Sequence, residues 1–130
     1  MLKNNKGFTL VELLAVLVIL IAIMAIAIPT INSSMEITKQ KQKNAKIKMI
    51  EAAAELYVAD NRNYVYSELG EDKEFVYIFI SVLEKYLSDD ATIDSDNNQI
   101  TGAVKFSPPN DYEFTDENID CTNENINCIG

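Results

Sequence analysis

The chain has 130 residues, 48% of them hydrophobic, and a net charge of −9, which leaves room for one small domain plus an apolar segment. It contains no histidine, so Ser-His-Asp and Cys-His catalysis are excluded, and its four glycines stand too far apart to form a phosphate-cradling loop. Charge is divided: residues 1–50 carry seven lysines against Glu12 and Glu36 (+5), whereas residues 51–130 carry eighteen acids against four bases (−14), which argues against direct nucleic-acid binding.

From Phe8 to Ile28 the chain is hydrocarbon apart from Thr9 and Glu12. These 21 residues would span about 31 Å as a helix, close to the roughly 30 Å of a bilayer core. A carboxylate inside such a segment is costly unless something opposite pairs with it, so Glu12 is a functional candidate by position alone. An ordinary signal peptide places its apolar run before the cleavage site and discards it. Here the small residue, Gly7, precedes the apolar run, so the run is retained.

The stretch Lys6-Gly7-Phe8-Thr9-Leu10-Val11-Glu12-Leu13-Leu14 resembles the N-terminus of type IV pilin and type II pseudopilin precursors. The resemblance is specific over about thirty residues and weak over the rest. It implies cleavage after Gly7 by a prepilin peptidase, N-methylation of Phe8, and pairing of Glu12 with the Phe8 amine of a neighbouring subunit in a filament. It also implies a membrane-held precursor with its C-terminus outside, an assembly platform as partner, and a surface pilus or pseudopilus as destination. The lysines count the other way, because five lie between Lys39 and Lys48 against Lys3, Lys6 and the terminal amine, and the positive-inside rule would keep the C-terminus in the cytoplasm. The competing functional class is a monomeric, membrane-tethered acidic module that captures calcium or a basic ligand.

Pro29 follows the apolar run and removes one backbone donor, which predicts a kink or local loosening of the helix. Residues 35–48 are polar on nearly every side and read as a solvated neck or an inter-subunit surface. Ile47, Ile50, Ala54 and Tyr57 then recur at helical spacing and form a stripe for a head domain, with the helix running to about Ala59 and a loop at Asp60-Asn61-Arg62-Asn63. The expected divisions are 1–7 leader, 8–29 transmembrane and assembly helix, 30–59 neck and amphipathic half, and 60–130 head.

Within Glu71–Leu87, apolar residues at Val76, Ile80, Leu83 and Leu87 fit a helical face. The run Phe75–Ile80 fits a buried strand as well, but helix is the reading preferred, with Glu71–Glu74 as its acidic first turn. Strand character follows around Ala91–Ile93, Gln99–Phe106 and Tyr112–Phe114. The fold class expected is α+β: a long N-terminal helix packed against a small head with a second helix and a short antiparallel sheet.

Cys121 and Cys128 are the only cysteines, and in an exported chain such a pair points to a disulfide that pins the tail. Asp94-Ser95-Asp96-Asn97-Asn98 resembles the opening of a calcium loop, with Asp94, Asp96 and Asn98 as ligand candidates. Gln99 and Lys105 stand where that loop needs glycine and glutamate, and a polar hairpin turn is the competing reading. No cofactor and no catalytic residue is expected.

Overall fold

The computed structural model describes residues 7–130, so the leader expected at 1–7 lies, apart from Gly7, outside the described residues. The chain divides into two units, Met1–Thr38 and Lys39–Gly130. Helix α1, Leu10–Asp60, contributes to both and contains Pro29.

In the first unit α1 is apolar on every side from residue 13 to residue 28, and none of its apolar window is buried within the chain. A helix that is hydrophobic all round needs lipid or other helices about it. Among the described residues α1 alone is long and apolar enough to cross a membrane.

The second unit is α+β. Helix α2, Arg62–Leu69, follows α1 after a break at Asn61, and strands β1 (Val76–Phe79), β2 (Ala103–Ser107), β3 (Asp111–Thr115) and β4 (Cys128–Ile129) make one sheet in the order β3-β2-β1-β4. Between β1 and β2 lie helix α3, Ile80–Leu83, and two 3-10 turns, Glu84–Tyr86 and Asp89–Thr92. The peptide bond between Pro108 and Pro109, in the β2–β3 connection, is cis.

One apolar cluster holds this unit together. From α1 it takes Ile50, Ala53, Ala54, Tyr57 and Val58, a face at helical spacing, with Ile47 half-buried at its edge. Val65 and Leu69 of α2 join it, as do Val76, Ile78, Val104 and Phe106 from the sheet. Aromatic edges close the cluster: Tyr66 meets Phe106 in a T-shaped contact at 6.1 Å, and Tyr112 stacks on Phe106 at 5.0 Å. Leu, Ile or Phe side chains buried this completely each contribute about 1.5–3 kcal/mol.

Several expectations are corrected. Glu71–Leu87 is not one helix: Val76–Phe79 is a strand with alternating burial, and helix begins only at Ile80. Four consecutive β-branched and aromatic residues favour the extended chain. This strand is central, antiparallel to β2 through Val76↔Phe106 and Ile78↔Val104, and parallel to β4 through Tyr77↔Cys128. The sheet is therefore mixed rather than antiparallel. The second helix lies instead at Arg62–Leu69, across part of the segment read as loop, and Val65 and Leu69 anchor it at the i, i+4 spacing. Ala91–Ile93 is mostly a 3-10 turn, with only Ile93 bridging to Gln99.

Gly102 shows how closely the sheet packs. Its φ is +141°, and a Cβ there would lie 2.2 Å from the Thr115 carbonyl oxygen. Only glycine accepts both the backbone angle and the contact.

Candidate functional site

The N-terminal segment starts as a capped helix. Thr9 Oγ1 accepts the Glu12 backbone N–H at 3.3 Å, and the Thr9 carbonyl accepts the Leu13 N–H at 3.1 Å. Thr9 and Glu12 thus stand at the spacing of a capping box, a signal in the sequence that the reading above did not use. Thr9 satisfies one helix-end donor, and Glu12 sits in the first turn, where a carboxylate complements the positive end of the helix.

Among the described residues the Glu12 carboxylate has no partner within its own chain, and it stands exposed with Phe8, which is 88% accessible. Gly7 has nothing within 4 Å of the position a side chain would take. The three positions singled out by the motif therefore lie together at the start of the apolar helix, open to an incoming molecule. Pro29 lies within α1 and cannot donate to the carbonyl four residues before it. Beside it the Thr30 hydroxyl donates to the Ile26 carbonyl at 3.1 Å, and the Ser33 hydroxyl to the Thr30 carbonyl at 3.0 Å.

The Asp94–Asn98 segment is a tight turn. Asp94 Oδ1 accepts the backbone N–H groups of Asp96 (2.9 Å) and Asn98 (2.8 Å), and Asn97 takes a positive φ of 64°. These bonds, that of Asn98 foremost, with the nearby charge of Lys43, hold the Asp94 carboxyl below its ordinary pKa. Lys39 Nζ reaches Asp96 Oδ1 at 2.7 Å, and Lys46 Nζ donates to the Ile93 carbonyl. Three lysines of the supposed solvated neck thus serve this turn. Among the described residues no group of three or more acids or cysteines is arranged to hold a metal ion.

The tail is tied at two points. Cys121 and Cys128 are joined, with Cα atoms 5.9 Å apart. Asn127, which sequence reasoning passed over, links three places: its amide donates to the Glu68 carbonyl, its Oδ1 accepts from Lys73 Nζ at 2.5 Å, and its carbonyl accepts the Tyr77 N–H at 2.9 Å. Nothing local marks that asparagine, because all three partners are more than forty residues away.

Residues 2–28 match the family model described as the prokaryotic N-terminal methylation motif. The N-terminal region thus carries that methylation motif, as the sequence resemblance leads one to expect. Similarity to curated proteins covers longer stretches than the motif. The chain is 31% identical over 70 residues to type II secretion system core protein G of Aeromonas hydrophila, covering 54% of this chain and 49% of the relative. It is 40% identical over 52 residues to competence protein ComGC of Streptococcus pneumoniae serotype 4, covering 40% and 48%. A core protein G of Pseudomonas aeruginosa is 34% identical over 68 residues, covering 52% and 48%. The chain thus spans about half the length of the curated relatives it matches. No solved structure matches it.

Proposed function

We propose that this protein is a structural subunit of a type IV pilus-like filament, a pilin or pseudopilin without catalytic activity of its own. It is held in the membrane by its apolar helix, cleaved after Gly7 by a prepilin peptidase, methylated on Phe8, and taken up by the assembly platform of a pilus or secretion machine. The carrying observation is Glu12, an acid without a partner among the described residues in the first turn of a helix that is otherwise apolar for twenty residues and unburied. Cleavage creates a cation on Phe8 at a similar hydrophobic depth. Pairing Glu12 with the Phe8 amine of a neighbouring copy then removes two uncompensated charges at once. Moving the helix from lipid into a bundle gains little hydrophobic free energy, so this ion pair supplies register that packing alone does not.

The subunit works without a cofactor in this reading. Asp94 closes a turn, and the Lys39 ammonium occupies Asp96, so the turn is held by the protein's own cation. The relatives named for secretion and for competence leave both machines open to this chain.

Replacing Glu12 by alanine tests the reading. Glu12→Ala should leave the membrane-held monomer at wild-type abundance and remove most of the chain from sheared surface filaments. Intact mass of the natural product should show loss of residues 1–7 and one added methyl group. Efficient polymerisation of uncleaved chains would overturn the pairing, and recovery solely as a detergent-soluble monomer would favour the tethered binding module.

A further inference from the structure

Among the described residues of the Lys39–Gly130 unit, three large apolar side chains stay exposed: Met49 (57%), Leu56 (55%) and Tyr64 (50%). Met49 and Leu56 are seven residues apart on α1, and with Ala45, Ala52 and Ala59 they recur at alternating steps of four and three. That spacing lays one continuous stripe along a helix. At 100° per residue the stripe lies roughly 150° around the helix from the face that buries Ile50, Ala54 and Tyr57, so Met49 and Leu56 turn away from the core, while Ala59 at its end borders a groove with Pro109 and Tyr112. Lys41 and Lys48, also a heptad apart, border it; both are exposed and neither forms an ion pair among the described residues.

Tyr64 belongs to a different surface. It projects from α2 with the exposed Glu68 one turn further along the same face. It lies near Tyr57, whose phenol pKa is raised first by burial and then by Tyr64.

We propose that the Tyr64–Glu68 face of one copy docks on the Met49–Leu56 stripe of the next, with Glu68 meeting Lys48. The inference rests on the filament reading and names the contact between successive heads. The chemistry is complementary in both parts. An aromatic ring packs well on a methionine thioether and a leucine, tyrosine is among the residues that dominate interface energies, and the Lys–Glu pair at the rim fixes orientation. The alanines flanking Met49 and Leu56 leave room for a ring to approach the helix closely. Because the two patches differ, the contact is heterologous, and repeating it builds an open head-to-tail array. A contact made by so few side chains does not hold two free copies together, so it acts once the apolar helices hold copies together at high effective concentration.

The test uses the full-length chain in cells that assemble it. Lys48→Glu and Glu68→Lys should each lower the amount recovered in sheared filaments about fivefold, and the double reversal should restore it to within about twofold of wild type. Thermal unfolding of each variant, unchanged from wild type, separates lost contact from lost fold. In cells expressing L56C and Y64C chains together, a short thiol cross-linker should yield a dimer that neither variant yields alone. A double reversal no better than the singles, or L56C chains cross-linking to one another as strongly as the mixed pair, overturns the contact. If wild-type filaments form while these results fail, the contact alone falls. If the wild-type chain never enters filaments, the filament reading falls and the contact with it.

Discussion

The carboxylate of Glu51 on α1 accepts the backbone N–H of Phe114 on β3 at 3.0 Å. Strand β3 is an edge of the sheet, so Phe114 would otherwise present an unpaired donor to any passing strand. A helix carboxylate in that place both fastens the sheet to α1 and blunts the edge.

Glu51→Ala should therefore cost about 1–3 kcal/mol, because it strands a half-buried donor. Glu51→Gln keeps an acceptor and should cost less than about 1 kcal/mol. Chemical denaturation gives the ranking, and faster amide hydrogen exchange at Phe114 locates the cause. Equal losses from both substitutions would mean that packing rather than this bond matters.

Gly102→Ala should be among the most damaging small substitutions in the unit. The added methyl group meets the Thr115 carbonyl oxygen at 2.2 Å and the backbone angle is one that L residues rarely adopt. A loss of about 2–3 kcal/mol is expected, read as a lower unfolding midpoint. The neighbouring Thr101, exposed, should tolerate alanine with little change.

Opening the Cys121–Cys128 bond by replacing both residues with alanine should cost about 2–3 kcal/mol, the loop-closure value for so short a ring. The loss should be local first. Strand β4 pairs with β1 over only two residues, so the amides of Asn127 to Ile129 should exchange faster than those of β1 and β2. Unchanged exchange there would show that Asn127 alone holds the tail.

Asp94 is held below the ordinary carboxylate pKa, chiefly by the Asn98 backbone N–H. A carboxyl depressed in the folded state adds stability above its unfolded pKa and loses it as pH falls through the lower, folded value. The turn should accordingly survive mild acid and loosen only below the usual carboxylate range. A carbon-detected titration of the Asp94 carboxyl should give a midpoint below the ordinary aspartate value, and Asp94→Asn should flatten the acid limb of the stability curve. Calcium in millimolar excess should leave the unfolding midpoint unchanged, and a rise would assign the turn a metal after all.

How far the sequence could be read varies by residue. Gly7, Phe8 and Glu12 form a contiguous motif, and an apolar run needs no partner to be recognised, since hydropathy and spacing are local properties. The stripe through Ile50, Ala54 and Tyr57 was legible for the same reason. Val76–Phe79 was not, because the same four residues satisfy a helical face or a strand until β2 and β4 supply hydrogen bonds on either side. Nor could sequence sort the lysines, which alternate along the chain but divide around the helix. Lys39, Lys43 and Lys46 turn to the Asp94 hairpin while Lys41 and Lys48 face out.

The amino-acid order alone determined that this protein carries an apolar, acid-bearing N-terminal helix behind a methylation motif, because transfer between water and lipid depends on composition along a continuous segment. Tertiary structure decided the mixed sheet, the Glu51 clasp and the Asn127 hub. Each of these depends on which distant group arrives beside a residue, and pairings across forty or sixty residues leave no periodic trace in the chain itself.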